Sequence, residues 1–455
     1  MSRKRGSAGV VVLAILILII GALGYLYNSA LFERNAPKIM IADSIDWNLK
    51  RPLKLDIEDD SGIKFVRITL NDGKHSIILS KKIYDNPVKK LELDVKFPRT
   101  GFVINKKDFN LIIEAVDTSK WNFLSGNSSK KSVAIRIDRK RPELYIVNNS
   151  YKIIKGGVAA VIFKAKDKNL KELYIETNYG KKFKPTPFYK EDYYISLIAW
   201  PSNQKRFKAS IVAKDRAGNI SKTRVRLYLK NKRYKVSKIK LKDNFLDGKI
   251  SDLIEEFKPD FINASKIEKF KVVNEIMRKE NEALIEKVTS KTDEKLIKDF
   301  KINPFYPLKN AAAVASFGDH RYYYYNGDMI SESYHLGLDL ASTAGAKIKT
   351  QNYGEVIFAD LNGIYGNNLI IYHGLGICSL YGHCSSFLTA QGEKVKPGEV
   401  LAKTGKTGLA LGDHLHFGIL VQGVEVRPEE WMDKKWMKES IFDIIKSAKK
   451  IIDKK

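Results

Sequence analysis

Cysteine is nearly absent from this 455-residue chain, with only Cys378 and Cys384 present. On one extended strand the two would lie ~20 Å apart at ~3.3 Å per residue, far beyond bonding reach, so no disulfide framework is implied. Two thiols leave the redox compartment open. No His-Glu-x-x-His occurs, which excludes the helical zincin arrangement. Gly405-Lys-Thr407 resembles the end of a phosphate-binding loop, but Val400 stands where its first glycine is required. ATP binding is therefore not expected. Acidic residues are the minority charge, 52 against 80 Lys and Arg, for a net charge of +28. The cations form no dominant block and no nucleic-acid motif accompanies them, so nucleic acid is not an expected partner. The excess fits steering toward an anionic polymer or membrane surface. A Lys-, Ile- and Asn-rich proteome explains it with no partner at all, and that reading is preferred.

Long apolar runs are also missing, with one exception. Gly6 to Phe32 contains no charge and includes the run Val10 to Ile20, and about 20 apolar residues span a bilayer as a helix. Arg3, Lys4 and Arg5 precede it, which holds the N-terminus in the cytoplasm and sends the rest outward. Read as a cleaved signal peptide, the stretch is too long and Asn28-Ser-Ala30 is a weak cleavage site. A retained anchor over 1–35 is expected, single-pass in the cell inner membrane, with the remainder in the periplasm.

At this length several structural units are expected, in a mainly β multidomain chain. Two β-sandwiches are predicted, over 36–140 and 141–230, from short β-branched and aromatic runs broken by Asp, Asn, Gly and Pro. An internal repeat supports the division. Asp60 to Ile68 aligns with Asp167 to Ile175, and Ala115-Val-Asp117 with Ala213-Lys-Asp215. Ala213 to Asn219 loosely resembles the closing strand and turn of bacterial immunoglobulin-like domains, modules that serve as spacers or as contact surfaces for an envelope protein. Residues 231–302 are expected to hold a solvated basic connector, Lys230 to Lys242, then one or two amphipathic helices to about Phe300. Ser265-x-x-Glu268 forms a capping box there, and Phe270, Val273, Met277, Leu284 and Val288 follow at helical spacing. A strut packed on its neighbour is the preferred reading, over a lid. A last amphipathic helix within 436–455 puts Ile441, Ile444, Ile445, Ala448, Ile451 and Ile452 on one face, for docking on its own domain ahead of a membrane surface.

Five of the seven histidines fall between 335 and 416. Within the glycine-rich, strand-dominated segment 303–435 stand His335-x3-Asp339, Tyr381-Gly-His383 and His414-Leu-His416. Even separations along extended chain put His335 with Asp339, and His414 with His416, on shared faces, and Gly337 permits close packing. Imidazole and carboxylate are the usual ligands of catalytic zinc, which needs three protein donors and an open fourth position. Four donors would close the site, so His335, Asp339 and His416 are assigned as ligands, with His383 and His414 catalytic beside them. His75, His320 and His373 are read as ordinary hydrogen-bonded residues. Tyr322 to Tyr325 is read as an edge strand or loop of mixed exposure, ahead of a groove lining.

At these residues the chain resembles the lysostaphin-type, or LytM-type, zinc peptidases that cut peptide bonds in bacterial peptidoglycan. The likeness runs through His335 to Ala341, Gly363 to His373, Leu380 to His383, Gly392 to Gly398, Gly405 to Gly408 and Gly412 to Phe417. It implies an antiparallel β-sheet with a groove along one face, Zn2+ on His335, Asp339 and His416, catalytic His383 and His414, and peptidoglycan as substrate. Cys384 replaces a common leucine and, as a strand neighbour of His383, should point away from the metal. Leu409 to Asp413 and Gly418 also depart from the family pattern, without removing a ligand. Members that act as non-enzymatic activators of other wall hydrolases generally lack a ligand, which makes that the alternative reading.

Overall fold

The computed structural model describes residues 7–97 and 106–454. The chain divides into two compact units, one of residues up to Pro142 with 168–171 and 214–220, the other of the remainder. Each has its own internal logic.

The first unit begins with a helix over Ser7–Asn28. Its stretch Gly9–Asn28 has a mean hydropathy of 2.8, is long and apolar enough to cross a membrane, and buries nothing inside the protein. Arg3, Lys4 and Arg5 lie outside the described residues. Beyond the helix six strands join in one sheet, in the order Lys38–Met40, Leu53–Asn71, Asp108–Asp117, Ser128–Ile137, Ser44–Trp47, with Ser76–Val95 also paired to Leu53–Asn71. Leu55, Ile57 and Ile63 point into its core, then Val66, Ile68 and Leu70. The switch from odd to even positions falls at the register shift between Ile63 and Phe65, because one extra residue reverses which face a strand presents. All six strands thus belong to one hydrogen-bonded sheet, with both halves of Leu53–Asn71 facing the same core.

The repeat seen in the sequence has a structural counterpart. Fully buried Asp117 accepts the Asn127 backbone N–H at 2.7 Å and its side-chain amide at 2.8 Å. Asp215 does the same for Asn219, at 2.7 and 2.8 Å. Each asparagine follows a glycine with positive φ, Gly126 or Gly218.

Strands between Glu143 and Val225, all but their ends near 170 and 214–220 within the second unit, form two four-stranded sheets whose apolar sides, including Phe163, Ile195 and Ile211, enter one core. That core is continuous with the inner face of an eight-stranded sheet further along the chain. The strands that matter to the site are β1 (Val236–Lys240), β2 (Ala312–Ala315), β3 (His320–Tyr325), β4 (Asp328–Tyr334), β5 (Leu338–Ala341), β6 (Gly354–Leu361), β7 (Asn367–Tyr372), β8 (Ile377–Cys384), β9 (Lys394–Val395) and β10 (Leu415–Val421). The large sheet runs β2-β5-β10-β8-β7-β6-β9, with an eighth strand, Val424–Val426, also paired to β10, and β1-β3-β4 form a separate sheet of three.

The faces of the large sheet divide by residue parity. Odd residues of β10, Leu415, Phe417, Ile419 and Val421, enter the shared core. Even residues, Leu420 with Cys378, Leu380, Ile370 and Tyr372 of neighbouring strands, meet Phe270, Val273, Met277 and Ile285 from a helical stretch over 266–289. Ser265 caps that stretch, its hydroxyl accepting the Glu268 N–H at 3.3 Å. The helix ends at Thr289, short of the expected Phe300. Another helical stretch, 243–257, precedes it and buries Leu246, Ile250, Leu253 and Ile254. The basic connector is not simply solvated: β1 pairs in parallel with β3. Its lysines alternate with Ile239, and the alternation is the strand signal that charge density masks. β3 is the central strand of its sheet, not an edge. The C-terminal helix Asp443–Asp453 buries Ile445 and Ala448 in the shared core, and Ile452 is buried as well.

Candidate metal centre

Pairing of β5 with β10 sets Asp339 directly opposite His416. His335 lies just past the end of β4, and a corner at residues 335–337 turns its ring back toward β5. The corner is tied down by the backbone: the His335 N–H donates to Asp319 O at 2.9 Å, and its carbonyl accepts the Gly318 N–H at 2.7 Å. His335 and Asp339 therefore meet through a turn, and not through the shared face of a strand as the spacing suggests.

The three side chains converge on one point. His335 Nε2 lies 2.9 Å from Asp339 Oδ1 and 3.1 Å from His416 Nδ1, and His416 Nδ1 lies 2.9 Å from the same Asp339 oxygen. The other nitrogen of His335 sits 2.9 Å from Ser316 O, which assigns the proton to Nδ1 and a lone pair to Nε2. Two nitrogens and a carboxylate oxygen facing each other cannot all be satisfied by one shared proton. A tetrahedral cation ~2.0–2.1 Å from each donor spaces them about 3.3 Å apart, close to what is found, and mixed imidazole and carboxylate ligation suits zinc. Gly337 makes the approach possible, since a Cβ there would stand 2.5 Å from His416 Cε1 and Nε2.

All three groups are buried. Burial alone would raise the Asp339 carboxyl, but contacts with His335 and His416 outweigh it and hold the group well below the usual carboxylate range. Burial lowers the His416 imidazole, against the pull of Asp339. The ring of buried Tyr365 meets His416 edge-on, 5.5 Å between centroids.

His383 and His414 stand beside this triangle, their rings 4.8 Å apart. His383, next to last in β8, adopts a left-handed conformation, φ 62°, at a register shift against β7. Such backbone costs about 1–3 kcal/mol in a side chain that is not glycine, and it clusters at functional sites. The turn swings His383 to the site and drops Cys384 into the core on the other side, as expected. His383 Nδ1 faces Thr407 O at 2.8 Å and His414 Nδ1 faces Gly412 O at 2.8 Å, so each presents Nε2. His414 Nε2 reaches to 3.8 Å from Asp339. Burial, then the neighbouring His416 and His414, push His383 down to about 3, against Asp339.

These residues form the floor of a groove of about 1040 Å³, walled by β1 and β3, by Phe245, Phe270 and Arg278 of the helical stretches, and by Leu409 to Asp413. Tyr323 lines it. The remaining histidines have local partners: His373 bridges Tyr353 O and the Ser379 hydroxyl, His320 meets Glu332, and exposed His75 lies near Asp72. Both thiols are free and buried on β8. Sequence reasoning missed Asp319 and Arg321, whose only signal is their alternation with Tyr323, and gave no role to Tyr365.

The sequence profile of peptidase family M23 matches residues 333–428. DD-carboxypeptidase/endopeptidase Mpg of Neisseria meningitidis serogroup B is 38% identical over 94 residues, 21% of this chain and 22% of that protein. Murein hydrolase activator EnvC of Escherichia coli K12 is 34% identical over 98 residues, 22% of this chain and 23% of that one. This chain thus spans less than a quarter of the length of these curated relatives. A zinc containing peptidase from Vibrio cholerae is 15% identical with a TM-score of 0.28, covering 71% of this chain and 81% of the other.

Proposed function

Because residues 333–428 are a peptidase family M23 domain, we propose that the chain is a zinc metallopeptidase that hydrolyses peptide bonds in peptidoglycan stem peptides or cross-links. The observation that carries this is the complete donor triangle of His335, Asp339 and His416 with two further imidazoles against it. The similarity to Mpg, named for carboxypeptidase and endopeptidase activity, favours the same substrate class. The apolar helix Gly9–Asn28 fits a single-pass inner-membrane anchor that holds the catalytic unit in the periplasm.

His335, Asp339 and His416 would hold the zinc, which would supply Lewis acidity to bring the pKa of a water to near 7 and polarise a carbonyl. The protein does the rest. His414 is the more open of the two imidazoles and sits over Asp339, so its Nε2 takes the proton released on attack and returns it to the leaving amine. His383, with its proton pinned on Thr407 O, keeps an acceptor lone pair aimed inward and orients the attacking O–H. The Leu409 to Asp413 loop and the helix-borne aromatics restrict water around the bond. Incubating the full-length protein with purified sacculi and zinc, then identifying products by mass spectrometry, tests the proposal. New amine and carboxyl termini are expected. Intact cross-links and stems at every pH near neutral refute it.

The similarity to EnvC favours a second reading, activation of a partner hydrolase. The two separate on metal content and on His416→Ala, which abolishes hydrolysis under the first reading and leaves activation of a partner untouched under the second.

A further inference from the structure

The groove is unevenly charged. Five lysines between Lys235 and Lys249, with Arg278 and Arg321, line it against three carboxylates, Asp319, Asp339 and Asp413. Asp339 is taken up by the triangle, and Asp413 accepts the Thr404 hydroxyl at 2.6 Å and the Gly345 N–H at 3.2 Å. Positive charge is left over before any divalent cation adds to it, and a walled groove of one sign concentrates ligands of the other. Lysines on an exposed strand such as β1 are ordinarily just solvated.

Arg321 differs from them. Its side chain is 23% exposed, and its Nε lies 3.3 Å from Oδ2 of Asp319, whose side chain is only 5% exposed. The Ser237 hydroxyl, opposite Arg321 in the β1-β3 register, holds both Asp319 oxygens, at 2.9 and 3.0 Å. The backbone of Asp319 is bonded to His335. A chain of short contacts therefore fixes this guanidinium relative to a residue of the donor triangle. Asp319, Arg321 and Tyr323 all line the groove, while the rings of the alternate residues His320 and Tyr322 lie against each other, 4.3 Å between centroids. With Nε bound to Asp319, the paired Nη groups are the edge left to a ligand, and that planar fork matches a carboxylate.

We propose that Arg321 is the specificity-determining residue of this groove, binding a carboxylate of an anionic peptide and so fixing the position of the neighbouring amide over the donor triangle. The substrate class it selects is a peptide with a free side-chain or terminal carboxylate next to the bond to be cut. This rests on the peptidase reading of the same groove.

The test compares a fluorescent stem peptide with free carboxylates to the same peptide amidated, bound to full-length protein kept metal-free by chelator, so that hydrolysis does not intrude. Anisotropy should give about tenfold tighter binding of the acid form, the scale of one charge-assisted contact. Arg321→Gln should remove that preference and leave affinity for the amidated peptide unchanged. Arg321→Lys, which keeps the charge and loses the fork, should retain part of it, and it carries the test if the glutamine variant does not fold. Equal binding of the two peptides, no binding of either, an equal loss for both in Arg321→Gln, or undiminished preference in Arg321→Lys overturns the proposal. Zinc-loaded wild type is assayed in parallel for cleavage. Failure there with the binding preference intact removes the peptidase reading and leaves the anion site standing.

Discussion

The approach of Gly337 to His416 gives the site its sharpest mechanical test. A methyl added at Gly337 would stand 2.5 Å from Cε1 and Nε2 of the imidazole and 2.9 Å from Phe417 O. Carbon atoms settle at about 3.5 Å or more, so the ring must retreat by about 1 Å. Its freedom to do so is small, because Tyr365 abuts it edge-on and Nδ1 is fixed on Asp339. Gly337→Ala should therefore keep the fold, at an overpacking cost of about 1–3 kcal/mol, and displace one donor of three. A shift of that size costs about 10²-fold in a positioned site. Zinc affinity, measured on the full-length protein by competition with a chromophoric chelator, should fall about 10–100-fold, and sacculus hydrolysis should fall with it. Gly248→Ala, where an added Cβ meets nothing within 4 Å, should leave both unchanged. Wild-type zinc affinity in Gly337→Ala would show that His416 does not hold the metal through the geometry described.

Three further outcomes follow from other parts of the molecule. Chelation should abolish hydrolysis and leave the far-ultraviolet circular dichroism spectrum unchanged, because the apolar cores lie on either side of the sheet and do not include the donors; zinc should restore activity, and a collapse of the spectrum would contradict this. Burial lifts the Glu430 carboxyl to about 8, so between the ordinary carboxylate range and that value the folded state keeps a proton the unfolded state has released. Stability should then fall as pH rises through this window, by up to about 1.4 kcal/mol per pH unit, and Glu430→Gln should flatten the pH dependence of the melting temperature between pH 5 and 8. Burial pushes the Cys384 thiol up to about 12 and raises Cys378 as well, so neither should react with a thiol reagent at pH 8 until the protein unfolds, when two equivalents should appear.

The candidate site was legible because histidine is rare in this chain and five of its seven histidines crowd into one segment. The way it is assembled was not. His335 and Asp339 read as a same-face pair at spacing four, whereas backbone bonds from Asp319 and Gly318 fold the chain between them, and such contacts leave no periodicity. The left-handed turn at His383 was equally hidden, since local pattern carries no sign of φ. Alternation in the first unit predicted strands, but the register shift near Ile63, where the buried residues change parity, left no mark in it. Charge masked β1, whose pairing partner is 84 residues away in sequence at Val236 and His320. The stretch over 243–257 was not singled out either. Its buried Leu246, Ile250, Leu253 and Ile254 keep helical spacing, but they lie between the connector expected to end at Lys242 and the capping box at Ser265, the signal on which the helical reading rested.

Strand β10 ties stability and chemistry together at single-residue spacing. Leu415, Phe417, Ile419 and Val421 anchor it in the larger core, while His414 and His416 alternate with them and line the groove. A strand buried on one face by four large apolar side chains cannot slip by one residue without moving every one of them to the wrong face. The position of His416 opposite Asp339 is thus enforced by residues that never touch a ligand. The same argument fixes Asp339 through Leu338 and Leu340, which enter the larger core on either side of it. Rigid placement of the donors requires no disulfide. It comes from burying about 1.5–3 kcal/mol of apolar side chain at each alternate position, which is why a chain with two unpaired cysteines can still hold three donors within about 3 Å of one another.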